Sequence, residues 1–178
     1  MLSLFRRNSP SDTIGRLYGA IVAQARQPAF YIDLGVPDTV EGRFELLLLH
    51  TFLVCHRLKG EAGDGHGMSQ QVFDTFLDDM DRTLREMGVG DLAVPKRMKK
   101  IGQAFYGRTA AYDTALAEGA GALETALARN VYERPADAPE VVALSAYVRD
   151  AVRGLAATPF ETLARGEIAF PALAASER

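Results

Sequence analysis

The sequence predicts an all-α, single-domain helical bundle of about six to seven helices. Every long segment repeats its apolar residues at the three- and four-residue spacing of a helix, and none alternates as a β-strand does. The chain has 178 residues, of which 48% are hydrophobic, enough for one domain with a real core. Neither an internal repeat nor a linker interrupts it, so we expect one domain over residues 1–178.

The first helix is predicted over about residues 11–26. Ser9 and Pro10 are typical of a helix start, and Pro28 is expected to end the helix because a proline cannot continue it. Apolar residues at helical spacing give this helix one buried face. That face comprises Ile14, Leu17, Tyr18, Ile21, Val22 and Ala25.

Residues 28–38 are predicted to form a connector rather than a helix. Pro37 disfavours helix at the residue before it, and the segment is too apolar for a simple solvated loop. The second helix then opens at residues 38–41, Asp-Thr-Val-Glu, which have the spacing of a capping box. Its apolar run over residues 44–55 is too short to cross a bilayer, which needs about 20 residues. We therefore expect this helix to be the central one of the bundle.

Glycine and proline separate the next predicted helices. Residues 60–67 contain four glycines and are predicted to be a flexible loop. A helix follows over residues 69–87, where Gly88 and Gly90 end it before Pro95 opens the next one. Side chains that share helical spacing on these separate helices are expected to be mostly buried. They are Leu46, Leu49, Leu53, Phe73, Phe76, Met80, Ile101 and Phe105.

The C-terminal part of the chain is alanine-rich and also predicted to be helical, over about residues 121–166. We expect helices near residues 121–133 and 138–156, and a short last helix that begins near Thr158. Residues 171–178 are predicted to be a frayed tail.

Charge is segregated along the chain, although the net charge is only −3, which argues against general binding to DNA. Residues 74–91 carry six acids and two arginines, a net charge of −4, whereas residues 96–108 carry five cations and no acid. Four of these cations would stand in the first turns of the helix opened by Pro95. The positive end of a helix dipole disfavours each cation there by about 0.3–1 kcal/mol. A sequence that keeps them is expected to use them for a partner.

Three ordered blocks of the sequence resemble one known family. They are LGVPDTVEGRFELLLLH at 34–50, SQQVFDTFLDDMDR at 69–82 and LREMGVGDLAVPKRMKKIGQAFYGR at 84–108. With their surroundings they cover about residues 31–116 and resemble the ubiquinol–cytochrome c chaperone family. The resemblance implies an all-helical assembly factor, not an enzyme, that binds newly made cytochrome b during biogenesis of ubiquinol–cytochrome c reductase. It also implies work near the ribosome and, in mitochondria, a small helical co-chaperone.

The apolar connector is the first segment expected to meet a partner. Its candidate residues are Tyr31, Leu34 and Val36. Two alternatives are open: these side chains fold over the bundle as a lid, or they contact the client.

The start of the basic helix is the second such segment. Its cations lie one to two turns from an aromatic pair, and the alternatives are a solvated charged face, an anionic client segment, ribosomal RNA or lipid headgroups. The candidate residues are Lys96, Arg97, Lys99, Lys100, Tyr106 and Arg108.

Two other classes of function stay open. Asp74, Asp78 and Asp81 share one face of the acidic helix and vaguely resemble the magnesium-binding aspartates of helical isoprenyl-diphosphate synthases. The second aspartate-rich motif that such an enzyme needs is missing, and Asp78–Arg82 and Asp81–Arg85 are predicted to be surface ion pairs. The other class is a basic-helix module that binds RNA or a membrane surface.

The remaining reactive side chains are predicted to be structural. His50 lies inside the central apolar run and is expected to be a satisfied core histidine, and Cys55 is expected to be a buried thiol. The sequence contains neither a recognisable nucleophile motif nor a glycine-rich phosphate loop. We therefore expect no catalytic residue, metal or cofactor.

The N-terminal segment MLSLFRRNSP lacks the apolar core of a signal peptide and the length of a transit peptide. Together with the family resemblance, this favours a bacterial cytoplasmic protein, with peripheral contact to the inner membrane as an option. A processed form in the mitochondrial matrix stays open.

Overall fold

Residues 10–173, the part of the chain that the computed structural model describes, contain eight α-helices and one π turn. In chain order they are α1 (Pro10–Ala25), α2 (Pro28–Ile32), α3 (Val40–Lys59), α4 (Asp64–Glu86), α5 (Val94–Glu118), α6 (Ala120–Leu127), the π turn (Ala128–Tyr132), α7 (Pro139–Ala157) and α8 (Phe160–Ala164). Residues 10–173 contain no strand, so the predicted all-α class is confirmed. The six helices of eight or more residues match the predicted number.

α3 is the central helix, as predicted. It packs against α1, α4, α5, α7 and the π turn. Residues 48–55 are buried without interruption, and eight residues make about two turns. Over those turns α3 offers no face to water.

The predicted core is confirmed at seven of its eight positions. The buried ones are Leu46, Leu49, Leu53, Phe73, Phe76, Met80 and Phe105. Ile101 is half-buried instead, because it lies where the cover of the core ends at an open groove.

α3 begins as predicted, but its cap is made differently from the predicted box. Thr39 has an extended backbone, and its Oγ1 accepts a hydrogen bond from the Gly42 N–H at 3.1 Å. Such a cap contributes about 1 kcal/mol to helix stability. Asp38 lies outside the helix and pairs with Arg43 at 2.6 Å.

The connector contains a short helix that the sequence analysis missed. Pro28 stands at the first position of α2, where its missing N–H would have had no partner in any case. Phe30 is fully buried, and the Tyr132 hydroxyl donates a hydrogen bond to the Leu34 carbonyl at 2.8 Å. Of the two predicted alternatives, the structure therefore has the connector folded over the bundle as a lid.

The glycine-rich segment over residues 60–67 is only half a loop, which corrects the prediction. α4 begins at Asp64 rather than near residue 69. A Cβ atom at Gly65 would lie 2.6 Å from the Leu58 carbonyl oxygen, closer than such atoms can approach. Gly65 thus allows α4 to approach the end of α3 closely, and it is not part of a flexible loop as predicted.

The C-terminal helices lie near their predicted positions, with one change of type. The predicted helix near residues 121–133 ends as an α-helix at Leu127 and continues as the wider π turn. After α8 the chain lies against the core as far as Leu173. The rest of the predicted frayed tail, residues 174–178, and the predicted helix-start residue Ser9 lie outside the described residues.

His50 joins three helices through buried hydrogen bonds, so the predicted core histidine is confirmed. Its Nδ1–H donates to the Leu46 carbonyl at 2.7 Å, which leaves Nε2 to accept from the Tyr147 hydroxyl at 2.8 Å. That hydroxyl in turn accepts a hydrogen bond from the Gln24 amide at 3.0 Å. Burial lowers the pKa of His50 to about 4, so the ring is neutral at neutral pH.

Acidification should weaken the fold through His50. In the unfolded chain the imidazole titrates near 6.5, so between about pH 6.5 and pH 4 the unfolded state binds a proton that the folded state does not. The contribution of His50 to stability is therefore fully present above pH 6.5 and falls by about 3 kcal/mol on the way to pH 4. Urea unfolding at several pH values measures this loss. His50→Gln, which does not titrate, should show a flatter dependence just below pH 6.5, and an equal slope in both proteins would contradict the assignment.

Candidate functional site

An open groove of about 540 Å³ lies at one end of the bundle, where α1, α2, α3, α4 and α5 meet. Most of its lining is apolar. The apolar lining residues are Val22, Ala25, Tyr31, Val40, Phe44, Leu47, Met80, Leu84, Met87 and Ile101. A concave apolar surface of this size is typical of a binding site.

The lid and α3 form one wall of the groove because they approach each other closely. A Cβ atom at Gly42 would lie 1.9 Å from the Pro37 carbonyl oxygen, so only glycine allows the lid to lie on the first turn of α3. Tyr31 is fixed in the lid by two contacts. Its hydroxyl donates to the Ala25 carbonyl at 2.9 Å, and the Arg43 guanidinium lies 5.7 Å from the centre of its ring.

The edge of the groove exposes large apolar side chains to water. Val40 is 61% exposed and Met87 is 55% exposed, and both line the groove. Methionine is flexible and polarizable, so Met80 and Met87 can adapt to apolar partners of different shape. Burial of these exposed apolar side chains under a partner would be favourable.

Charged side chains of both signs surround this apolar floor. Asp79 accepts a hydrogen bond from the Tyr18 hydroxyl at 2.8 Å and pairs with Arg82 at 2.6 Å. Arg26 and Arg97 also line the groove and form no ion pair with any described residue. The groove therefore has two cations available for a partner.

Glu45 and Arg108 form a two-pronged ion pair at the base of the groove. The Arg108 Nε–H and Nη2–H donate to the two Glu45 carboxylate oxygens, both at 2.5 Å. Burial raises the pKa of Glu45, and the bonds from Arg108 oppose that effect. The same bonds raise the pKa of Arg108. Arg108 thus holds α5 against α3, which differs from its predicted availability to a partner.

The structure brings together only some of the predicted partner-binding residues. Tyr31 and Arg97 line the groove. Val36 is 2% exposed and belongs to the core, because the lid turns it inward, and Leu34 packs against the same core. Tyr106 is 62% exposed, with its ring 5.4 Å from that of Phe73.

The other predicted cations, Lys96, Lys99 and Lys100, are exposed on the part of α5 outside the groove. Val40 and Met87 also line the groove but are not among the predicted partner-binding residues. Met87 shares the helical spacing of the buried residues Phe76 and Met80, which predicts it to be buried, but it lies just after the end of α4 and is 55% exposed. Val40 is the first residue of α3, and its exposure likewise depends on how the surrounding helices pack, which the sequence does not show.

The acidic helix pairs its charges in a pattern that differs in one place from the prediction. Arg85 pairs with Asp81 at 2.6 Å, as predicted, and also with Asp91 at 2.6 Å. Arg82 pairs with Asp79 instead of Asp78, because Asp79 is already held beside α1 by Tyr18.

Three further observations concern the thiol, metal ions and membrane-spanning helices. Cys55 is buried as predicted, and burial raises the pKa of its thiol to about 11, which keeps it protonated. Within residues 10–173 no group of three or more histidine, cysteine, aspartate or glutamate side chains is arranged to hold a metal ion. Over the same residues, no helix has the length and apolar character needed to cross a bilayer.

These features describe an all-helical fold with an open, mostly apolar groove at one end of the bundle. Residues 32–170 match the family model described as ubiquinol-cytochrome C chaperone. That match covers more than half of the chain, so this protein belongs to the ubiquinol–cytochrome c chaperone family, whose members assist assembly of ubiquinol–cytochrome c reductase. The resemblance found in the sequence is confirmed, and the match extends beyond residues 31–116.

Known proteins similar to this chain agree with that family. The crystal structure of the Cbp3 homolog from Brucella abortus has a TM-score of 0.85 and 44% identity, with 96% of each chain covered. Ubiquinol-cytochrome-c reductase complex assembly factor 1 of Xenopus laevis is 26% identical over 141 residues, 79% of this chain and 70% of that protein. The human protein of that name is 27% identical over 141 residues, and this chain spans only 47% of its length.

Replacing Arg108 should lower the stability of the fold rather than remove a partner contact. Arg108→Met leaves Glu45 buried without its partner, and we expect a loss of stability on the order of 3 kcal/mol. The loss should shrink as the pH is lowered, because Glu45 with a raised pKa takes up a proton and no longer needs a cation. Thermal and urea unfolding measure both effects.

The matched control is the double variant Glu45→Gln with Arg108→Met, which removes both charges and should recover much of the stability. If Arg108→Met melts like the unchanged protein but loses binding to a partner, Arg108 is a contact residue rather than a structural one.

Proposed function

We propose that this protein is a non-enzymatic assembly chaperone that holds newly made cytochrome b before it joins ubiquinol–cytochrome c reductase. Membership of the family supports the role in assembly, and the open apolar groove supports binding of an apolar client segment. The observation that carries the proposal is the exposure of Val40 and Met87 on the edge of that groove. We place the protein in the bacterial cytoplasm, where the client would emerge.

The proposed mechanism is reversible covering of apolar surface. An unassembled membrane protein exposes segments whose burial in the groove is favourable by about 25 cal/mol per Å². Binding lowers the free concentration of a client that would otherwise aggregate. Because the effect depends only on the binding equilibrium, it requires no nucleotide, and the partner subunits can compete the client away.

The candidate partner-binding residues divide into three groups by position. Tyr31 and Arg97, together with Val40 and Met87, would contact the client directly in the groove. Leu34, Val36 and Arg108 would act by supporting the lid and the base of the groove.

The remaining exposed candidates are Lys96, Lys99, Lys100 and Tyr106 on α5. They provide surface for a ribosome, a small helical co-chaperone or a membrane. Tyr106 lies on the ring of Phe73, so it is held in place while its outer edge stays open to a partner.

Crosslinking in cells tests where the client binds. A photo-reactive amino acid at Val40 or at Met87 should give an adduct with cytochrome b, since both positions line the groove. The matched control is Val142, an apolar residue that is 40% exposed on α7, away from the groove. Mass spectrometry of the trapped protein identifies it. Adducts of equal yield at Val142, or adducts at the groove that never contain cytochrome b, would overturn the proposal.

A charged groove should fail to support assembly. Val40→Asp and Met87→Asp each place a carboxylate on the apolar edge of the groove, where burial against an apolar client segment is costly. Both side chains are exposed, so folding should change by no more than about 0.5 kcal/mol. In a strain that lacks the gene, these variants should restore less assembled ubiquinol–cytochrome c reductase than the unchanged protein, whereas Val142→Asp should restore it fully. Full restoration by both groove variants at equal protein levels would contradict a role for the groove.

A further inference from the structure

The corner between α4 and α5 combines exposed apolar side chains with unpaired cations. Leu92 is 100% exposed, the highest value among the exposed large apolar side chains, and Met87 on the same corner is 55% exposed. Leu92 does not pack on the core, so the fold itself gives no reason for a leucine at this position. The exposed lysines that follow it in α5 form the charged part of the same surface.

Three lysines follow this leucine within eight residues. Lys96, Lys99 and Lys100 are exposed and form no ion pair with any residue of the described range 10–173. At about 100° per residue they fall on the side of α5 opposite its buried residues Val94 and Phe105. They therefore point away from the bundle, whereas Arg97 lies at the groove.

The acids nearby do not cancel this charge. Asp91 is paired with Arg85, which also holds Asp81. Residues 85–100 carry five cations and two acids, a net charge of +3 in a chain whose total is −3. The Asp91 side chain, next to Leu92, is 87% exposed, so its carboxylate offsets one cation, and the three unpaired lysines keep the corner cationic. Charges elsewhere are screened beyond about 8–10 Å at physiological salt.

We propose that this corner, formed by Leu92 with Lys96, Lys99 and Lys100, binds the surface of an anionic lipid bilayer. The lysines would contact lipid phosphates, and Leu92 would enter the boundary between headgroups and acyl chains. An apolar tip beside cations fits a bilayer, which offers anions and an apolar phase within a few ångströms of each other.

Two other partners fit these side chains less well. RNA offers phosphates to the lysines but no apolar phase for a fully exposed leucine. The loops that flank membrane segments on the cytoplasmic side are rich in lysine and arginine, so they would repel this corner. Because Met87 belongs both to the corner and to the groove, a protein bound in this way would hold the groove beside the membrane.

The absence of tryptophan from the chain makes a direct test possible. Leu92→Trp introduces the only indole, and its emission should shift to shorter wavelength with vesicles in which about a third of the lipid is phosphatidylglycerol. Vesicles of phosphatidylcholine alone should give no shift. Lipids brominated near the headgroup should quench the emission if the side chain enters the bilayer. Val142→Trp, on an exposed apolar position of α7, is the matched control and should show neither effect.

Charge variants test the lysines in the same vesicles by co-sedimentation. Reversal of Lys99 and Lys100 to glutamate should weaken binding by at least about tenfold, since each cation at an anionic surface contributes roughly fivefold. Replacement of both by arginine should retain binding. Reversal of Lys59 and Arg129, two exposed cations outside the corner, is the control for net charge. Added salt should weaken binding of the unchanged protein.

Every substituted side chain is exposed, so all variants should melt near the temperature of the unchanged protein. Melting curves check that a loss of binding is not a loss of folding. The proposal is overturned if Leu92→Trp emission stays unchanged on anionic vesicles, or if the reversal at Lys99 and Lys100 binds as the unchanged protein does. It is also overturned if polyuridylate RNA binds through the same lysines more tightly than the vesicles do, with the Leu92→Trp emission unaltered.

Discussion

Burial of the apolar helix α3 by the helices around it is the constraint on which the rest of the structure depends. Its run of apolar residues from 44 to 55 has no polar face, so helices must cover it on every side. The cover is complete over residues 48–55. Toward the N-terminal end of α3, polar residues return and the cover is incomplete, which leaves Val40, Phe44 and Leu47 at the groove. The groove is thus the place where the requirement to cover α3 ends.

Buried polar groups on α3 set the positions of the helices around it. Glu45 fixes α5 through Arg108, and His50 fixes α7 and α1 through Tyr147 and Gln24. A buried polar group is costly when its partner is displaced, so each of these bonds disfavours a shifted helix more strongly than apolar contact does. The shape of the groove follows, because its walls belong to the same α1 and α5 that these bonds position.

Much of the fold could be predicted from the sequence, because helical spacing is a local property. The central helix, the buried faces and the start of α3 near residues 38–41 follow from residues within a few turns of one another, although the cap itself is made by Thr39 rather than by the predicted box. The groove could not be predicted in that way, since it depends on contacts between distant segments. Arg108 illustrates the difference: its charge is visible in the sequence, but its commitment to Glu45, 63 positions earlier, is not. Likewise, the Tyr18 hydroxyl of α1 donates a hydrogen bond to Asp79 of α4 and positions that carboxylate, so Arg82 pairs with Asp79 rather than with the predicted Asp78.

The first turns of α5 separate two kinds of surface within one basic segment. A helix places successive residues about 100° apart, so a run of cations cannot all face one partner. Arg97 lies at the apolar groove, whereas Lys96, Lys99 and Lys100 point away from the bundle. All four oppose the helix dipole, and none is relieved by an acid in the first turn. The same unfavourable placement of cations at the start of α5 thus accompanies two adjacent surfaces, the apolar groove and the lysine-bearing corner, and their adjacency is the feature on which the two proposed roles of this protein jointly depend.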